Sequence, residues 1–217
     1  GGIRLRIPGQ VNAPEPPGRI IAVEIPIDSP SVARVVNNNI VVGGQCHDLF
    51  VSLPMHRLIG ACSPKALVFD ITDPVNPQKI MELTFPDNTG WHSAAMSYDG
   101  KIIALGTEPG GGSQPRCMAT GTPIPNGRPG AYQTEQMKAI FLFDAESGKF
   151  INWHVLPRPQ SAIEACTIHN YHFIPVPGRR LLVHGSYQSG TAVVDLTDPM
   201  KPKELVWADP QPGQGRI

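Results

Sequence analysis

In this chain of 217 residues Gly and Pro together make up about 21%, against a usual share of roughly 12%, which is too much punctuation for a helical bundle. The 41% hydrophobic share is enough for a folded core. Lys plus Arg (18) balances Asp plus Glu (18), which leaves no positive surplus to neutralise phosphates and excludes nucleic acid as a partner. No apolar run approaches the roughly 18 residues that span a bilayer, so no membrane span is expected.

Internal repetition organises the chain. Residues 16–37 read as the outer half of a β-unit, with strands inside Ile20 to Val36 and a turn at Asp28-Ser29-Pro30. Residues 43–86 read as a full unit: Cys46 to Leu53 pairs with Arg57 to Cys62, and Val68 to Ile80 carries an apolar strand, a Thr-Asp-Pro turn and an outer strand. Residues 89–157 repeat the scheme with His92 to Ser97, Lys101 to Gly106 and Ala139 to Phe150. A long Gly- and Pro-rich loop, 109–136, is inserted between its second and third strands. Residues 163–210 repeat it again with Thr167 to Ile174, Arg180 to Ser186 and Val193 to Leu205; this last segment matches Val68 to Ile80 at six of thirteen positions, including Thr-Asp-Pro. Four-stranded antiparallel units at this spacing predict an all-β chain, a β-propeller of about three full blades plus part of another, in a single partial domain over 1–217. Propellers use four to eight blades, and the chain begins Gly-Gly-Ile and stops at Gly215-Arg216-Ile217, so it reads as a fragment of a longer polypeptide.

In a blade that runs from its innermost strand outwards, the start of strand one, the end of strand two and the start of strand three share one face. His47, His92 and His169 stand near the start of innermost strands, followed by Asp48, Ser93 and Asn170; Glu108 follows a second strand, and Tyr187 and Gln188 lie at the same level one blade on. Two readings stay open. His47, His92, His169 and Glu108 suit a divalent transition metal (Cu, Fe or Zn), with Asp48, Asn170, Tyr187 and Gln188 as further binding residues. Alternatively the histidines are struts that hydrogen-bond a neighbouring blade. His56, His154, His172 and His184 fall outside the repeated position and read as structural or surface residues.

Cys46 and Cys62 flank the hairpin centre at Pro54 symmetrically and should face each other; Cys117 and Cys166 lie on one face and form a second disulfide candidate. Two disulfides would place the parent protein in an oxidising compartment. Gly110-Gly-Gly112 lacks the Lys-Ser/Thr of a phosphate loop, and no Gly-x-Ser-x-Gly elbow occurs. Asp70, Asp73, Asp195 and Asp198 recur with the turns and read as capping acceptors.

Cys46-His-Asp, Trp91-His-Ser, Glu108-Pro-Gly-Gly-Gly-Ser-Gln-Pro-Arg-Cys117, His169-Asn170, Ile174-Pro-Val-Pro-Gly-Arg179 and the two Asp-x-Thr-Asp-Pro turns together resemble the LVIVD-repeat proteins, over roughly residues 16–210. Pro109 and Ser186 depart from the pattern. The resemblance implies a bacterial β-propeller that is extracellular, periplasmic or on the cell surface. Its expected role is a binding scaffold that takes a protein, peptide or glycan on its channel face without a cofactor. A metal-dependent oxidoreductase is the alternative. A second resemblance, to selenium-binding-type propellers whose channel histidines hold copper, rests on His and Glu positions alone.

Overall fold

A computed structural model describes residues 18–86, 90–109, 114–124, 130–158 and 160–209. The run Gly110-Gly-Gly112 and part of the 109–136 loop lie outside the described residues, as do residues 16, 17, 89 and 210 at the ends of the sequence units. Strands β1 (Arg19–Glu24) and β2 (Arg34–Val41) form a two-stranded sheet. Three four-stranded antiparallel meanders follow. The first is β3 (Cys46–Ser52), β4 (Arg57–Cys62), β5 (Ala66–Asp70) and β6 (Gln78–Leu83). The second is β7 (Ser93–Met96), β8 (Ile102–Gly106), β9 (Ile140–Asp144) and β10 (Phe150–His154). The third is β11 (Asn170–Ile174), β12 (Leu181–Gly185), β13 (Thr191–Asp195) and β14 (Lys203–Ala208). The chain is therefore a partial β-propeller, and its innermost strands β3, β7 and β11 are neighbours.

The core lies between blades, which explains the unbroken apolar runs of the middle strands. A strand buried on both faces has no polar side to alternate with. In β9, Phe141 and Phe143 point toward the first full blade, where they pack with Ile59, Val68 and Leu83, while Ile140 and Leu142 point the other way onto Ile168, Leu182 and Val194. The β1–β2 sheet closes the other side of the first full blade, burying Ile20 and Ile40 on Leu58, Leu67 and Phe69. That packing carries β2 on to Val41, four residues past the end at 37 expected from sequence, because Ile40 pairs directly with Ile20.

The repeated aspartates cap turns. Asp70 accepts from the Thr72 amide at 2.8 Å, Asp195 from Thr197 at 2.9 Å, Asp73 from Val75 at 3.0 Å and Asp198 from Met200 at 3.0 Å. Hydrogen bonds from Thr72 hold Asp70 below the usual carboxylate range. Gly100 turns the β7–β8 hairpin at φ 69°, a left-handed conformation that side-chain-bearing residues adopt at a cost.

Cys46 pairs with Cys62 across β3–β4 with a Cα–Cα distance of 3.7 Å, and Cys117 lies 5.3 Å from Cys166. Both pairs are at disulfide distance, and such bonds belong to an oxidising environment. Among its described residues the excursion between β8 and β9 contains one bridge, Pro123 to Tyr132, and a 3-10 turn at Glu135–Lys138, and Cys117 fastens it to the segment that enters β11.

Polar links join the inner strands. Asp48 Oδ2 accepts from the Ala94 amide at 3.4 Å; Ser93 Oγ donates to the His169 carbonyl at 2.7 Å; Tyr171 Oη donates to the Ser93 carbonyl at 2.9 Å. A methyl group on Gly106 would sit 2.6 Å from Ser93 Oγ and 3.2 Å from Tyr171 Oη, so these links need glycine there. Tyr171 is buried, and burial pushes its phenol pKa up. Tyr171→Phe should lower stability by about 1–2 kcal/mol, because it strands a buried carbonyl. Denaturant titration should show the midpoint falling at constant m; an unchanged midpoint would assign the link no net energy.

Candidate functional site

The backbone places two of the three histidines in the same way. The His92 amide donates to the Gly106 carbonyl at 2.8 Å and the His169 amide to the Gly185 carbonyl at 2.9 Å, each at the end of its blade's second strand. His47 is the second residue of β3. Side chains alternate along these strands. Asp48 and Ser93, each directly after a histidine, hold the neighbouring blade, and in the third blade the link comes from Tyr171, two residues after His169. None of those interstrand bonds uses an imidazole.

The rings form a file. Centroids of His47 and His92 lie 3.9 Å apart, those of His92 and His169 4.6 Å, and those of His169 and Tyr187 4.4 Å with the rings stacked. Glu108 runs alongside. Its Oε2 is 3.0 Å from His92 Nε2, its Oε1 is 3.3 Å from His169 Nε2, and Oε1 also accepts from the Tyr187 hydroxyl. Burial holds the pKa of His92 below the ordinary histidine value, opposed by the Glu108 carboxylate and aided by His47 and His169. His169 is lowered in the same way, by burial first. Both shifts favour the neutral imidazole, the form that binds metals. Tyr187 sits at φ 50°, a strained conformation for a residue with a side chain, inside the 3-10 turn Tyr187–Ser189 that ends at Gly190.

Ligand atoms of His47, His92 and Glu108 all lie within 4.8 Å of one another. Ligand atoms about 2.0–2.2 Å from a tetrahedral metal sit roughly 3.4 Å apart, so this trio fits an ion after drawing in by about an ångström. Among the described residues His92 Nδ1 is buried without a hydrogen-bond partner, while the Glu108 carboxylate 3.0 Å from Nε2 favours the proton on that nitrogen. His169 is outside the trio and reaches it through the second carboxylate oxygen of Glu108.

The other candidates are engaged differently. Besides its link to Ala94, Asp48 accepts from the Leu49 amide at 2.8 Å. Gln188 accepts from the Ala165 amide at 3.1 Å, latching the Tyr187–Ser189 turn to the chain before β11. Asn170 is exposed at the start of β11.

Two features escaped the sequence. A cleft of about 950 Å³ opens beside the trio, and its lining residues include His47, His92 and Glu108 together with Phe85, Trp91, Met137, Phe141 and Trp153. Trp91-His92 adjacency was its one sequence signal. The second feature is a pair of buried histidines, His154 on β10 and His184 on β12, with ring centroids 6.5 Å apart. Nothing in their spacing pairs them.

No family model matches the chain, and no curated protein matches it. Among solved structures, the chain is similar to the β-propeller domain of Myceliophteria thermophila Cps50 (Swd1), at 11% identity and a TM-score of 0.47, over 80% of this chain and 42% of that one. The chain thus spans less than half the length of that neighbour, and its assignment as a partial β-propeller rests on the strand pairing described above.

Proposed function

We propose that this chain supplies the binding face of a secreted or cell-surface propeller of the LVIVD type, and that His47, His92 and Glu108 hold a divalent transition metal on that face. The observation that carries this reading is the convergence of three ligand atoms within 4.8 Å at the edge of a cleft. Two imidazoles and a carboxylate are a donor set that suits Zn, Cu or Fe. A metal held by three protein ligands would be able to take a further ligand, as in sites where a metal meets a ligand and unlike closed structural sites. Bound Zn would act as a Lewis acid, and Cu or Fe would add one-electron chemistry.

The chain's own residues do the rest. His169 and Tyr187 share Glu108 Oε1 and fix the carboxylate's orientation, and the aromatic wall excludes water from one side. The two disulfide-distance pairs support an extracellular, periplasmic or surface location, and among the described residues no helix is long and apolar enough to cross a membrane. A second reading is favoured by the cleft alone: a metal-free scaffold that binds a protein, peptide or glycan.

Elemental mass spectrometry on untagged protein dialysed against Cu, Zn or Fe tests the first reading. One equivalent of a single metal is expected in the parent chain, falling at least tenfold in the His47→Ala/His92→Ala variant and in Glu108→Gln. No retained metal, or equal retention in the variants, would leave the metal-free scaffold as the reading.

A further inference from the structure

We propose that the cleft beside the histidine cluster binds a small phenol, with its ring against the aromatic wall and its hydroxyl toward Glu108. The inference rests on the binding-face reading above and adds the class of ligand.

Shape and polarity divide the cleft in two. Phe85, Trp91, Phe141, Trp153 and Met137 make an apolar wall suited to a flat ring. His47, His92 and Glu108 cluster at a polar end, and Gln45, Ser63, Thr107, Thr134 and Gln136 line the cleft as well. Three buried polar atoms of lining residues have no hydrogen-bond partner among the described residues: Trp91 Nε1, His92 Nδ1 and Thr107 Oγ1. Such atoms cost free energy unless a bound group satisfies them. A head group that both donates and accepts suits this end, since Glu108 only accepts and the Trp91 indole only donates.

Charge narrows the class. Among the described lining residues Glu108 is the single carboxylate, and none is Lys or Arg. With no metal bound, a carboxylate or phosphate entering the cleft would meet the like charge of Glu108, with no described cationic side chain in the lining to offset it. An uncharged hydroxyl on an aromatic ring meets all three conditions: flatness, two-way hydrogen bonding and no negative charge.

The test uses the full chain labelled with 5-fluorotryptophan, treated with EDTA and, separately, metal-loaded. Trp91 and Trp153 line the cleft, whereas Trp207 lies on β14 under the Arg158 guanidinium and serves as an internal control. The probes are 4-methylphenol, toluene, 4-methylbenzoate and N-acetyltyrosinamide, followed by fluorine NMR. Saturable shifts of Trp91 and Trp153 are expected with 4-methylphenol while Trp207 stays still. Affinity for 4-methylphenol should exceed that for toluene by about threefold to tenfold, the usual return of one added hydrogen bond. The comparison with 4-methylbenzoate is made on the EDTA-treated sample: no saturable shift is expected there with the parent chain, and Glu108→Gln should admit it.

Equal binding of 4-methylbenzoate and 4-methylphenol would overturn the proposal, as would Trp207 moving in step with the others or no saturation at all. Tighter binding of N-acetyltyrosinamide would overturn it in favour of a tyrosine side chain of a peptide. Because the EDTA-treated sample needs no metal, failure of this titration and failure of the metal assay are separate results.

Discussion

Phe141→Ala should cost about 3–5 kcal/mol of folding stability, the usual range for emptying a buried phenylalanine site. Phe141 is 1% exposed, and its ring is centred 4.8 Å from Phe85, 5.2 Å from Trp91 and 6.4 Å from both Phe150 and Trp153. The rings come from β9, β10 and the segments around residues 85 and 91, so no single strand can shift to fill the hole. For a chain of this size the loss corresponds to a fall in Tm of roughly 10 °C. Phe141→Leu should lose less than half as much. The damage should also reach the channel face, because Trp91 precedes His92 and its edge contact to Phe141 seats that part of the chain. A Tm drop of under about 2 °C would mean that the cluster repacks.

Acidification should destabilise the fold well before its carboxylates titrate. Burial pushes His154 down to about 4 and His184 to about 3, with the nearby Arg158 lowering both further and His154 adding to the shift of His184. The Nε2 atoms of both rings are buried without a partner, and His184 Nδ1 lies 3.1 Å from Ser186 Oγ. In the unfolded chain these histidines titrate near 6.5. As pH falls below 6.5 the unfolded state takes up protons that the native state refuses, so stability is complete above that pH and declines toward pH 4 and pH 3. Each histidine contributes a slope that grows to about 1.4 kcal/mol per pH unit below its unfolded value, which gives a loss of about 3 kcal/mol for the two between pH 6.5 and pH 5. Asp70 and Asp195 have lowered values and begin to matter only below about pH 4, so this window belongs to the histidines. Urea titrations at several pH values check the slope. His154→Phe/His184→Phe should reduce it, leaving the share of His92 and His169, which burial also holds down, and an unchanged slope in that variant would assign the protons elsewhere.

The propeller architecture was legible because its signals are local. An Asp-x-Thr-Asp-Pro turn writes both the end of one strand and the start of the next, and Asp70 and Asp195 cap those turns as their spacing implied. The cysteine pairs were legible for the same reason: Cys46 and Cys62 are symmetric about a hairpin. Across blades the sequence was weaker. Strands such as β9 are apolar on both faces, so their periodicity carries no record of which neighbour each side chain meets, and the aromatic wall was invisible. His154 and His184 come from the outermost strand of one blade and the second strand of the next, a pairing that follows from the ring alone. The roles of Asp48 and Gln188 were hidden too, since their side chains bond backbone amides whose positions depend on tertiary packing.

The separation between links and imidazoles bears on how such a protein can change over time. Asp48, Ser93 and Tyr171 tie the ring together, whereas His47, His92 and His169 project from it without carrying those ties. Substitution at the three histidines would then rewrite the chemistry of the face while sparing its frame. Insertion or deletion of one residue within β3 or β7 would exchange the two sets, because strand side chains alternate with period two. A lineage of such chains should therefore diversify at these positions by point replacement and keep the lengths of its inner strands fixed.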